Sequence, residues 1–125
     1  MIPKFRVWDK KGKKMCNVAA IWFSSDSVIL ERGIVVYERK LDEVELMQAT
    51  GVGSIYDDGI TEIYEGDIVK TVSSPNGRFI GYVGDAVSRF EVGGVKQYKG
   101  LKYDLDASYV VIGNKFQNPE LLEDN

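Results

Sequence analysis

Residues 40–70 read KLDEVELMQATGVGSIYDDGITEIYEGDIVK, and the way turns punctuate this stretch decides the architecture. Residues 52–56 and 60–64 flank Asp57-Asp58-Gly59. An Asp-Gly pair between runs rich in isoleucine and tyrosine predicts a β-hairpin, because glycine tolerates the positive φ that such turns need. Glu65-Gly66-Asp67 is a second tight turn, and it feeds a strand over residues 68–72. Residues 44–50 fit two patterns. Val44 and Met47 suit a helical turn, whereas Val44, Leu46 and Gln48 suit a strand. Asp42 would cap the helical alternative and Gly51 would close it in a left-handed conformation. A single turn or an irregular strand is expected there.

On the N-terminal side, residues 5–8 and 14–23 are strand-like and are joined by the polar turn Asp9-Lys10-Lys11-Gly12-Lys13. The second arm carries MCNVAAIWF, apolar at successive positions, and is expected to be covered on both faces. Residues 28–30 and 34–37 form another hairpin around Glu31-Arg32-Gly33. On the C-terminal side, residues 73–77 stack turn formers and read as a loop. Strands follow over residues 78–83 and 86–92, with Gly84-Asp85 between them and a break at Gly93-Gly94. Residues 95–103 are a ribbon or a loop, and residues 109–112 a strand. Asn118-Pro119 starts a short helix, cap followed by proline in the first turn.

Together these readings predict an all-β fold in one domain, residues 1–125. Residues 1–40 form N-terminal hairpins, and 41–64 a central loop and hairpin. Residues 65–125 form a partly open SH3-like barrel with a short C-terminal helix.

The central stretch also resembles the signature of the YopX family of phage and prophage proteins. The matching residues are Leu46, Met47, Gln48, Thr50, Gly51, Asp58, Gly59, Ile63, Tyr64, Glu65, Gly66, Asp67, Ile68 and Val69. Two flanks agree: the opening Pro3-Lys4-Phe5-Arg6-Val7-Trp8-Asp9, and Tyr109-Val110-Val111-Ile112-Gly113-Asn114 with Asn118-Pro119-Glu120-Leu121-Leu122. The loop before the turn departs from the pattern at Ser54-Ile55-Tyr56-Asp57. The resemblance implies a small phage-borne protein inside a bacterium, with no assigned activity and hence no catalytic residues to transfer.

Composition narrows the chemistry. The chain has no histidine, which removes the usual general base near neutral pH and every Ser-His or Cys-His arrangement. Cys16 is its only cysteine, so there is no internal disulfide and no multi-cysteine metal site. Cys16 sits among Met15, Val18 and Ala19, the setting of a buried, unreactive thiol. No apolar run is long enough for a membrane helix and the N-terminus lacks a signal-peptide pattern, so the expected location is the cytoplasm of the bacterial host.

The net charge of −3 is uneven. Lys4, Arg6, Lys10, Lys11, Lys13 and Lys14 face only Asp9 before residue 15, and the remainder is acidic. Such a basic hairpin either steers toward an acidic partner or is simply a solvated turn.

Three functional classes were compared on these residues. Asp57, Asp58, Glu62, Glu65 and Asp67 are close in sequence but lack calcium-loop spacing, and turn formation accounts for them. A carboxylate-based hydrolase therefore ranks third. A nucleic-acid face would use Arg78, Arg89, Lys96, Tyr98, Lys99 and Lys102, with Tyr82, Phe90 and Tyr103 as further stacking rings. The acidic pI near 5.0 argues against it. The leading expectation is a non-catalytic binding module without cofactor. It would form a homo-oligomer, bind a host or phage protein, or both, using apolar strand surface around Trp8, Trp22 and residues 19–23.

Overall fold

The computed structural model describes residues 4–57, 61–72, 78–85 and 89–122. The chain forms two compact units, Met1–Gln48 and Ala49–Asn125.

In the first unit the strands are β1 (Phe5–Asp9), β2 (Lys14–Trp22), β3 (Ser27–Arg32), β4 (Val35–Lys40) and the first half of β5 (Val44–Gly53). They pair antiparallel in the order β4-β3-β2-β1-β5. Strand periodicity puts alternate residues on one face, where Val7, Cys16, Val28, Leu30 and Val44 form a buried core. Val18, Ile21, Tyr37 and Leu41 pack around it. Gly33, at φ +62°, supplies the left-handed position in the β3–β4 turn. Residues 44–50 are strand rather than helical turn, because β1 claims them as a ladder partner, from Phe5 opposite Gln48 to Asp9 opposite Val44. Asp42 instead lies in a 3₁₀ turn, Leu41–Glu43, in which the Glu43 carboxylate accepts the Lys40 N–H at 2.9 Å.

The second unit contains the end of β5 with β6 (Glu62–Tyr64), then β7 (Asp67–Thr71), β8 (Ile80–Asp85), β9 (Phe90–Gly94), β10 (Lys102–Asp104) and β11 (Tyr109–Asn114). The last five form an antiparallel sheet in the order β10-β9-β8-β7-β11. Its edge strands β10 and β11 are not paired with each other among the described residues, so the sheet stays open. Ile63, Val69, Phe79, Val83, Val92 and Tyr109 make its core. The protein is thus mainly β, as its turn pattern predicts.

Several details differ from the sequence expectation. The hairpin around Asp57 exists, with Gly53 opposite Glu62, but residues 55–57 form a 3₁₀ turn instead of extending the first arm. Asp58 and Gly59 lie outside the described residues, as do the expected loop over 73–77 and the start of the 86–92 strand. Gly84 and Asp85 do not form a turn; they end β8, opposite Glu91 and Phe90. Gly93 and Gly94 do not break the chain either, since both lie in β9. A Cβ at Gly94 would sit 1.9 Å from the Tyr98 carbonyl oxygen, so glycine there permits close backbone approach. The C-terminal helix is reduced to one 3₁₀ turn, Pro119–Leu121. Asn118 makes no cap to it and instead accepts the Asn114 N–H through Oδ1 at 3.2 Å.

Candidate functional site

The first unit holds two contrasting features on its longest hairpin. At the turn end, Asp9 is fully buried. Its Oδ1 accepts the Lys11 and Gly12 N–H groups, each at 3.1 Å, and Arg39 Nε at 3.1 Å. Its Oδ2 accepts the Tyr37 hydroxyl at 2.7 Å. Tyr37 and Arg39 reach it because alternate residues of β4 share one face. Burial opposes ionisation of Asp9, but the hydrogen bonds from Tyr37, Gly12 and Arg39, with the Arg39 charge, outweigh it and hold the carboxyl below the ordinary aspartate value. For Tyr37, burial and the neighbouring Cys16 and Asp9 all push the phenol up, so it stays protonated.

One consequence concerns Cys16. An ionised carboxylate only accepts, so the single Tyr37 proton points at Asp9. The Cys16 sulfur lies 3.3 Å from the Tyr37 oxygen, and the thiol must therefore be the donor. A relay of hydrogen bonds thus runs from the buried Cys16 through Tyr37 to Asp9.

The basic turn is tied to its own acids. Lys10 Nζ lies 3.7 Å from Glu45 and Lys11 Nζ 3.6 Å from Glu43. The Arg39 guanidinium sits 4.8 Å from the Tyr37 ring centre and Lys14 Nζ 6.0 Å from it. The Asp9 carboxylate is thus saturated with donors and fixes the turn.

The other end of the hairpin carries exposed apolar residues. β1 pairs with β2 only from Arg6 opposite Asn17 to Asp9 opposite Lys14. Beyond that point residues 18–22 have β3 on one side and no ladder partner on the other among the described residues. The register to β3 shifts between Val18 and Ala20, leaving Ala19 bulged and exposed. Trp22 is 53% and Phe23 73% exposed, so the arm expected to be covered on both faces is covered only on the face of Cys16, Val18 and Ile21. A groove of 690 Å³ lies beside it, lined by Lys4, Phe5, Asn17, Val18, Ala19, Ile21 and Glu31. A second exposed apolar group, Ile34, Val35 and Val36, marks the β3–β4 turn and the start of edge strand β4.

The second unit places the nucleic-acid candidates as follows. Arg78 is exposed just before β8. Arg89 Nε binds Asp104 Oδ1 at 2.5 Å in a solvent-exposed pair. Tyr98 stands edge-on to the buried Phe79, with ring centres 5.5 Å apart, and Tyr103 does the same at 4.8 Å. Lys96 is half-buried in a 3₁₀ turn, while Lys99 and Lys102 are exposed. Among the clustered carboxylates, Asp57 accepts the Thr61 N–H at 3.1 Å and Asp67 the Tyr64 N–H at 2.8 Å, both turn-forming bonds. A small pocket of 130 Å³ between Ser54, Tyr56, Asp57, Thr61, Val110 and Val111 lies next to the first of these turns.

Sequence reasoning missed the Asp9 cluster, since its partners lie 28 and 30 residues away along the chain. The only local hint is Asp9 standing two and three residues before the amides it accepts, the spacing of an Asx turn.

Among solved structures the chain is similar to protein EF1440 from Enterococcus faecalis. The two are 26% identical over 98% of this chain and 99% of that one, with a TM-score of 0.64. None of the curated proteins matches. The family described as YopX protein matches residues 4–123, nearly the whole length, and the chain therefore belongs to the YopX family.

Proposed function

We propose that this protein is a phage- or prophage-derived accessory protein that acts by binding, without catalysis, in the cytoplasm of a bacterial host. Its partner is a second copy of itself, a host or phage protein, or both. The observation that carries this reading is the exposed apolar strand surface of the first unit, where Trp22, Phe23, Val35 and Val36 stand in solvent at strand ends and edges. Apolar side chains gathered on open strands gain most when another protein covers them. The titratable cluster supports the same reading, because Asp9, Tyr37 and Cys16 use their hydrogen-bonding capacity on one another.

A pull-down from host-cell lysate tests this, run with and without nuclease and at low and moderate salt. A discrete protein partner, or a second differently tagged copy of the chain, that survives both treatments supports the reading. Recovery that disappears with nuclease or falls steeply with salt would replace it with nucleic-acid binding through Lys96, Lys99 and Lys102.

A further inference from the structure

We propose that the second unit carries a binding site for single-stranded nucleic acid. The site is a trough on the outer face of its sheet, floored by Gly93 and walled by Tyr82 and Lys102, that takes one base. It is separate from the apolar surface of the first unit and does not rest on it.

The trough follows from strand register. Antiparallel partners share a face, and Tyr82 stands opposite Gly93, which stands opposite Lys102. Val83 and Val92, one position along, belong to the core, so this row lies on the other face. Tyr82 is 38% exposed, and Lys102 is exposed. Between them glycine removes the side chain. Among the described residues no atom lies within 4 Å of where a Cβ at Gly93 would stand. The Tyr82 ring leans along its own strand instead, its hydroxyl 3.8 Å from the Cβ position of Gly84. Tyr82 and Lys102 are two strand spacings apart, roughly 9.5 Å, which leaves room for one planar ring over Gly93 against the tyrosine. Stacking of a base on an aromatic ring is the sequence-tolerant contact of single-strand binders. A duplex hides its base faces, so the trough selects single strands.

The surrounding charge fits a phosphate chain. Residues 68–84 and 92–103 contain five cations, Lys70, Arg78, Lys96, Lys99 and Lys102, and no acidic residue, although the whole chain stands at −3. Among the described residues none of the five lies within salt-bridge distance of a carboxylate. The Val95 N–H donates to the Ile80 carbonyl at 3.1 Å, which sets Lys96 beside the start of β8 and Arg78. The Gly94 N–H donates to the Leu101 carbonyl at 2.8 Å and closes the loop that carries Lys99. Glu91 and Asp104 stand one row the other way on the same face, and Arg89 is paired to Asp104. The phosphates therefore run toward the loop, away from these carboxylates. Local charge, not the acidic pI, governs such a face.

Packing also separates the candidate rings. Tyr98 and Tyr103 stand edge-on to Phe79, and Phe90 packs against the core. Tyr82 is left as the stacking ring.

The test is fluorescence anisotropy of the full chain with labelled oligothymidylate, oligouridylate and a duplex of equal length, at low and moderate salt. Polyglutamate is the competitor that distinguishes a nucleic acid from an acidic protein segment. Gly93 has ordinary strand backbone and room for a side chain, so Gly93→Val fills the trough and leaves β9 in place. Tyr82→Leu removes the stacking ring, and Lys102→Gln removes a phosphate contact. Lys10→Gln, in the turn of the first unit, is the control. Circular dichroism and thermal melting verify that each variant folds like the parent.

Both single strands should bind, and the duplex roughly ten-fold more weakly. Y82L and G93V should each weaken binding roughly ten-fold. K102Q should lower the slope of log affinity against log salt by roughly 0.7, with K10Q unchanged. No binding at low salt overturns the inference. So does equal affinity for the duplex, displacement by polyglutamate at equal charge, parental affinity in G93V and Y82L, or an effect of K10Q equal to that of K102Q. None of these results touches the nuclease-resistant capture that tests the first unit, so the two readings fail separately.

Discussion

The two ends of the β1–β2 hairpin have opposite character. At the turn, the Asp9 carboxylate gathers four donors. At the far end, Trp22 and Phe23 stand in solvent. The closed end stabilises this chain, and the far end exposes apolar surface. The difference teaches that clustered titratable groups are not by themselves a site. What matters is whether their hydrogen-bonding capacity is already used.

The strongest way to break the comparison is Asp9→Ala. It leaves the Tyr37 hydroxyl, the Arg39 charge and two turn amides without their acceptor, and should cost about 3 kcal/mol in urea unfolding, as loss of one partner of a buried charged pair does. A cost near zero would mean that the closed end is not holding the fold. Asp9→Asn sharpens the same point through pH. Because the folded carboxyl titrates below its ordinary value of 3.8, its contribution is fully present above about pH 5 and fades as pH falls through the folded pKa. The parent should therefore lose more stability than D9N between pH 6 and 3.

Gly94→Ala, away from the hairpin, should cost about 2 kcal/mol, because the new methyl must displace the Tyr98 backbone. Tyr37→Phe removes the Asp9 hydrogen bond and the acceptor of the Cys16 thiol, and should cost about 1.5 kcal/mol. At the far end, Ala19→Lys should leave the melting curve of the isolated chain within about 0.5 kcal/mol of the parent, since Ala19 is exposed.

Much of the closed end's backbone was legible beforehand. Asp9 to Lys13 announces a turn, Gly33 marks the next one, and Cys16 among small apolar residues reads as buried. The Asp9 cluster was not legible, because alternation along β4 says that Tyr37 and Arg39 share a face but not that the face meets a carboxylate from β1. The far end was misread for a related reason. An apolar run from Val18 to Phe23 shows that the strand prefers cover, but not which face receives it, and only the face of Cys16, Val18 and Ile21 joins the core. The paired glycines at 93–94 misled because glycine marks both turns and close backbone approach, and only the position of Tyr98 distinguishes them. The Glu65-Gly66-Asp67 turn was fully readable, since Gly66 takes φ +85° and Asp67 caps the Tyr64 amide.

The most direct measurement is sedimentation equilibrium of the full chain at low and moderate salt, read beside the pull-down. Association through apolar surface should give the parent a multiple of the chain mass at both salt concentrations. A parent that sediments as a single chain and captures no protein partner, or an assembly that salt dissolves, would contradict the binding reading.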